Sequence, residues 1–405
     1  DGDSVDISGI TLDAEGGDLT INSDSLTTAG TATIQSTGGT ATLTLTGESD
    51  STIIDVGDSA SGGTGLDILE SELQDVASTF STIAIGYDTT QTGAITVNDT
   101  GGLTSLNSGL TLRSEGSGGV VNLSSAIDLT STASTNLSVE GASINLDAGV
   151  STDGGSISFT GPVEINAAVT VDSESGGDSA AGAVSFSSTI LAEDGSSDTL
   201  TIDATGSSNG TITLSGDVGD GTSANDLDAF TISQSSVADL ADIQVDSGNI
   251  AITSADIDLN GDTYKANTSG SITFTGPVGL DSTGSITIQT ANADSDDLSF
   301  SSTIDDTGND SNLIINTNNG TASAPGGESG DITFSGSVGS TNSIASINVS
   351  GADDVTISGD AVTSAGSISI TSDTVALGGT SNTTTLTSGA ADTEDIAITG
   401  NIDDA

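Results

Sequence analysis

Ser156-Ile157-Ser158-Phe159-Thr160-Gly161-Pro162-Val163 returns as Ser271-Ile272-Thr273-Phe274-Thr275-Gly276-Pro277-Val278, an offset of 271 − 156 = 115, and this recurrence decides the fold. Inside the block, apolar and hydroxyl residues alternate. Period-two alternation places Ile and Phe on one face and Ser or Thr on the other, the pattern of a half-buried strand. Gly and Pro then break the strand. Later blocks keep the same order. Phe186 to Ile190 returns at Phe300 to Ile304, and Ile212 to Gly219 returns at Ile332 to Gly339. Long repeats therefore run over 155–269 and 270–395, with a third copy beginning at Ile396-Ala397-Ile398-Thr399-Gly400.

Within each long repeat the Phe-bearing strands recur after 186 − 159 = 27 and 300 − 274 = 26 residues. That is about one coil of a parallel β-helix with three short strands and their turns. The fold expected is all-β: one continuous, elongated, single-stranded parallel β-helix over 1–405, with right-handed coiling favoured by the connection rule for parallel strands. At a strand spacing of ~4.8 Å the chain would make on the order of 15 coils, a rod roughly 70 Å long. Phe159, Phe186, Leu214, Phe274, Phe300 and Phe334 are the expected core ladder. Leu66, Leu69, Leu73, Val76 and Phe80 fall at helical spacing with Asp67, Glu70, Glu72 and Asp75 between them, which predicts an amphipathic helix over 66–78 on the flank of the solenoid.

Composition narrows function. The 405 residues carry 58 Asp plus Glu against two basic residues, Arg113 and Lys265, and no His, Cys, Met or Trp; the formal charge is −56. Without His or Cys there is no imidazole base, thiolate nucleophile or disulfide framework. Nucleic acid and anionic membrane surfaces are repelled, and no run approaches the ~20 apolar residues of a membrane span. With no Met, the sequence reads as processed or as a piece of something longer. Two candidate calcium motifs stand out. Gly62-Gly63-Thr64-Gly65-Leu66-Asp67 matches a single calcium-binding nonapeptide, or else a Gly-rich turn with Asp67 near a helix start. Asp256, Asp258 and Asp262 open like an EF-hand loop, although Asn267 stands where its bidentate Glu belongs and the alternation of Ile250, Ile252, Ile257 and Leu259 fits a strand better. No cofactor is required by any of this. Calcium at acidic turns is the one ion the pattern suggests, against solvated surface charge as the commoner role.

The chain ends match each other. Asn401-Ile402-Asp403-Asp404-Ala405 stops in the middle of a strand–acidic turn–strand unit whose second half is Asp1-Gly2-Asp3-Ser4-Val5-Asp6-Ile7. Asp1, Asp3, Val5, Ile7, Ile402, Asp403 and Asp404 are therefore expected at assembly ends that stack head to tail, or inside a longer solenoid.

Leu69 to Gly86, followed by Thr92-Gly93-Ala94-Ile95-Thr96-Val97 and Gly109-Leu110-Thr111-Leu112-Arg113, resembles a recurring element of filamentous-haemagglutinin-like giant bacterial surface proteins. The Gly-Ser-Ile-Thr-Phe strands resemble their β-helical shafts in composition. The resemblance implies a secreted or cell-surface solenoid with structural or adhesive duty and no active site. The expected function is a structural shaft or filament-forming segment of an extracellular adhesin or fibre, with itself as end-to-end partner. The alternative is a module binding glycans or a partner protein, on surfaces or neighbouring cells. A polysaccharide-degrading enzyme is the third reading; it requires two positioned carboxylates with shifted pKa in a cleft.

Overall fold

The computed structural model describes all residues except 1–3, 39, 59–64, 177–178, 194–196, 319–328, 380–382, 392 and 405, and the side chain of Asp404. It is an all-β, parallel β-helical protein whose contacts divide into two compact units, Asp1–Ile190 with Ile202–Gly210, and Leu191–Thr201 with Thr211–Ala405.

In the first unit each coil places one strand on each of three parallel ladders. One runs through Ile53–Val56, Ile95–Val97, Val120–Leu123, Ser143–Leu146 and Val163–Ile165. A second runs through Leu19–Asn22, Ala41–Thr46, Phe80–Ile85, Gly109–Ser114, Leu137–Gly141, Ile157–Thr160 and Val184–Phe186. The third holds Leu103–Thr104, Ile127–Leu129, Val150–Thr152 and Ala168–Asp172. Inward residues of all three are buried Ile, Leu and Val, and Phe159 stacks on Phe186 at 4.6 Å.

The second unit repeats the plan. Its ladders are Thr211–Leu214, Val237–Leu240, Ile257–Leu259, Val278–Leu280 and Ile304–Asp306; then Ile243–Val245, Thr263–Ala266, Ser285–Gln289 and Asn312–Asn316; then Ala229–Gln234, Ile250–Thr253, Ile272–Thr275, Leu298–Phe300 and Ile332–Phe334. The strands Ser346–Ile357 and Ile368–Leu377 are long enough to turn a corner, so each serves the last two ladders, with a register shift between Val349 and Ala352.

The Thr-Gly-Pro-Val that ends the repeated block has a physical cause. Gly161 and Gly276 turn the corner at φ +119° and +135°, and a Cβ on either would lie 2.0 and 1.9 Å from the carbonyl oxygens of Gly141 and Ser254 in the preceding coil. Only glycine fits there. Pro162 and Pro277 follow where no N–H is needed, and their carbonyls accept from Ile144 and Ile257 at 2.9 and 3.0 Å. Other corners are held by side chains standing in for the backbone ladder. Asn136, Asn249, Asp297 and Asp331 each accept from an N–H of the next coil, that of Ser156, Ser271, Asp331 and Asp354 respectively.

Three expectations are corrected in detail. The helix spans only Glu70–Gln74. Leu66 is drawn into the strand Gly65–Ile68 by pairing with Ile54, Val76 bridges to Ile34, and Phe80 opens the next strand. The helical spacing was real for Leu69 and Leu73 but lost at both ends to ladder hydrogen bonds. Second, coil length is not fixed near 26 residues: ladder partners lie 19 residues apart at Asp147 and Asn166 and 34 apart at Asn316 and Ser350. The long repeat is therefore not a whole number of coils. Its second copy, Ile272–Thr275, pairs with Ile250–Thr253 and Leu298–Phe300, whereas the third copy, from Ile396, pairs with Ile368–Thr371 on a different ladder. Third, the expected core ladder is divided for the same reason: Phe274, Phe300 and Phe334 stack on one another, while Leu214 pairs with Leu240 on another ladder.

Candidate functional site

Aspartates collect on one side of the second unit. Asp239 and Asp258 occupy outward positions of neighbouring strands and are register partners; Gly279 follows them, leaving the ladder open. The turns after these strands bring Asp242, Asn260, Asp262 and Asp281 beside them, and Asp217 comes from the preceding coil. Asp217, Asp239, Asp242, Asn260, Asp262 and Asp281, together with Thr213, Ser215 and Ser282, line a groove of about 560 Å³. Its floor is fixed from below by Tyr264, a buried ring whose hydroxyl donates to the Leu240 carbonyl at 2.8 Å and accepts from the Gly261 N–H at 3.1 Å. Burial, with the charges of Asp242 and Asp239, raises that hydroxyl well above the ordinary tyrosine value.

The carboxylates are partly tied to the scaffold. Asp242 accepts from the N–H groups of Asp262 and Thr263 at 2.6 and 3.0 Å, Asn260 donates to Asp239, and Ser282 donates to Asp262. Asp239, Asp242 and Asp258 are all raised above the ordinary carboxylate value, first by burial and then by one another's company: Asp281 acts on Asp239, Asp217 and Asp262 on Asp242, and Asp256, Asp239 and Asp281 on Asp258. Chemically this is a groove of carboxylates that hold protons more tightly than usual, suited to cations or to sugar hydroxyls.

Like charges in register weaken a sheet. Asp258→Asn is therefore expected to raise the stability of the second unit at pH 7 by roughly 0.2–1 kcal/mol, with the gain shrinking as the carboxylates protonate. Denaturation midpoints at two pH values check this.

The sequence-derived calcium residues scatter. Asp262 lines the groove and Asp258 stands in register beside its Asp239, whereas Asp256 is exposed in the turn before the strand. Asp67 sits in the strand Gly65–Ile68 opposite Asp55, two residues before the helix N-cap Leu69; partial burial and then the charge of Asp55 raise its pKa. Gly62, Gly63 and Thr64 lie outside the described residues. Two other acidic groups converge within 4.8 Å among the described residues, Asp58 with Glu70 and Asp99, and Asp88 with Glu115 and Glu140. In the first, Asp99 accepts from the N–H groups of Asp58 and Gly101 at 2.8 and 2.9 Å, and Glu70 from Thr104. In the second, Arg113 pairs with Glu140 at 3.1 Å. Neither was legible in sequence, because coils of unequal length bring their members together. Lys265 stands between Gln244 and Gln289 on a ladder away from the aspartates.

Of the expected assembly ends, Asp1 and Asp3 lie outside the described residues, Val5 pairs with Leu26, and Ile7 is buried. Ile402, Asp403 and Asp404 belong to the strand Ile396–Asp404, the last of its sheet. Ile396 and Ile402 are 43% and 63% exposed, whereas their register partners Ile368 and Val375 are fully buried.

Comparison of the chain with protein-family models, curated proteins and solved structures finds no match.

Proposed function

We propose that this chain is a structural shaft of an extracellular bacterial surface adhesin or fibre, spacing other parts along its length and adding coils end to end. The observation that carries the reading is the uninterrupted succession of parallel backbone ladders in each unit, backed by stacked inward side chains, with the inward Ile396 and Ile402 of the strand Ile396–Asp404 left exposed. Such an edge, the last strand of its sheet, is a template for a further coil. The reading assigns the protein to the cell surface or its exterior, where a chain with only two Lys or Arg offers almost nothing to trypsin-like proteases. No catalytic residue is assigned. Calcium bound at the acidic turns would stiffen the shaft by relieving carboxylate repulsion. Electron microscopy with and without a chelator tests the assembly. Filaments growing in length with protein concentration support end-to-end addition; separate particles at every concentration exclude it, and filaments lost on chelation assign calcium a role.

A second reading, glycan binding, is favoured by the groove, where Asn260 and five aspartates gather over Tyr264. Retention on immobilised glycans that disappears in Asp239→Ala would support it; retention unchanged by that substitution would place binding elsewhere.

A further inference from the structure

An Asn-Gly pair loses its side-chain amide more readily than other asparagine pairs, because a glycine nitrogen with no side chain beside it can swing onto the asparagine Cγ. Two such pairs lie among the described residues, Asn209-Gly210 and Asn260-Gly261. The second lines the acidic groove, and the fold requires both of its residues. A Cβ on Gly261 would lie 2.4 Å from the backbone nitrogen of Asp242 in the preceding coil, so only glycine fits. Asn260 donates its amide N–H to Asp239, in a groove whose other polar side chains are carboxylates and hydroxyls. An ionised aspartate at this position has no proton to give and adds a charge beside Asp239.

The same turn is pinned against that reaction. The Leu240 carbonyl collects three donors: the N–H of Asn260 at 2.9 Å, the N–H of Gly261 at 3.1 Å and the Tyr264 hydroxyl at 2.8 Å. The Gly261 N–H is shared with the Tyr264 oxygen, also at 3.1 Å. The next two N–H groups, of Asp262 and Thr263, are held by the Asp242 carboxylate. Cyclisation requires the Gly261 nitrogen to give up its proton and turn toward Asn260 Cγ. In the wound coil that proton is aimed at two oxygens, and the turn cannot rotate without breaking the bonds on either side of it. Tyr264 is fully buried, so its oxygen stays where it is and does not give way to water.

We propose that Asn260-Gly261 is a latent self-modification site, held unreactive by Tyr264 and Leu240 in the wound coil and released when the coil opens. In the opened turn the Gly261 nitrogen bonds to Asn260 Cγ, the Cγ–Nδ2 bond breaks, and Nδ2 leaves as ammonia with the proton from Gly261. Water then opens the resulting succinimide at either carbonyl, leaving aspartate or isoaspartate. The chain and water are the only reactants. Aspartate puts a further carboxylate against Asp239, and isoaspartate lengthens the main chain by one carbon in a turn that has no space at Gly261. Either product opposes rewinding, so a prolonged local opening leaves a permanent mark. The inference is independent of the shaft reading, which rests on the ladders and the exposed edge.

The test incubates the full chain in mildly alkaline buffer, folded and in guanidinium chloride, and follows Asn260 by peptide mass spectrometry after chymotryptic digestion. Conversion at Asn260 is expected in the unfolded chain and to be slower by roughly tenfold or more in the folded one. Tyr264→Phe, shown to be folded by circular dichroism, is expected to speed conversion in the folded chain by about fivefold, the factor for one lost hydrogen bond, and to leave Asn209 unchanged. Phe300→Leu weakens the same unit at its ring stack, away from this turn, and is expected to leave Asn260 near the wild-type rate. Asn260→Asp is expected to lower the denaturation midpoint at pH 7. Equal conversion in the folded and unfolded wild-type chain overturns the proposal. So does a wild-type rate in folded Tyr264→Phe, or a rise in Phe300→Leu that matches it. An Asn260→Asp midpoint equal to wild type overturns the claim that conversion opposes rewinding.

Discussion

Replacing Phe300 by alanine is expected to cost the second unit about 3–5 kcal/mol, the range for truncating a buried aromatic ring. Phe300 sits between Phe274 and Phe334 at 5.2 and 5.4 Å, so the substitution removes its own burial and both ring contacts, and leaves a cavity bounded by two large side chains. Three-stranded coils this narrow have no second layer from which to refill it. Chemical denaturation of the full chain checks this, with Ser299→Ala, its half-exposed outward neighbour, as the reference expected to change stability by a few tenths of a kcal/mol. A Phe300→Ala midpoint equal to wild type would mean that the ring stack does not hold the ladders together.

The second large effect is expected from pH and salt. In the second unit Asp226, Asp239, Asp242, Asp258, Asp331 and Asp353 are all raised above the ordinary value of 3.8, chiefly by burial and then by neighbouring carboxylates. A carboxyl raised in the folded state binds its proton more tightly there than in the unfolded chain. Its contribution to stability is therefore complete below 3.8 and is lost as pH rises through the folded value. Asp220 and Asp306 run the other way: hydrogen bonds from Thr222 and Asn225 to the first, and from Ser311 and Gly308 to the second, lower their values, and that stability is lost as pH falls through them. The raised groups outnumber the lowered, so the melting temperature should climb as pH drops from neutral toward about 4, then fall in stronger acid. Salt at pH 7 should raise it too, since a net charge of −56 works against any compact state and the screening length shrinks to about 8 Å at physiological ionic strength. Melting curves over pH 3–8 at two ionic strengths check both. A melting temperature that falls steadily from pH 7 to 4 would show that the carboxylates are held by bonds stronger than their mutual repulsion.

The fold was legible because alternation is local. Each Ile-x-Phe or Ile-x-Ile run states which of its side chains face inward, and Gly161-Pro162 and Gly276-Pro277 state where the chain turns. What sequence alone did not reveal is the phase between coils. Coil lengths differ, so a nearly identical octapeptide lands on whichever ladder the count has reached, and the repeat that betrays the fold misplaces Leu214 beside Phe334. The candidate site was hidden for the same reason. Asp239 and Asp258 become neighbours only because a short coil separates them, and Asp217, Asp242 and Asp281 join from turns whose order in space depends on three coil lengths together. The helix start after Asp67 was legible, but its extent was not: pairing of Leu66 with Ile54 and of Asp67 with Asp55 holds residues 65–68 in a strand, and the helix begins only at Glu70.

The proposed load-bearing role is tested most directly by stretching single molecules of the full chain held at its two ends. Parallel ladders wound in coils release chain one coil at a time, and a coil of 19 to 34 residues, the spacing of Asp147–Asn166 and of Asn316–Ser350, frees about 60–120 Å of extended backbone. A force record with repeated steps of that length is the expected result. A single cooperative rupture of the whole chain, or extension with no resolved steps at low force, would contradict it.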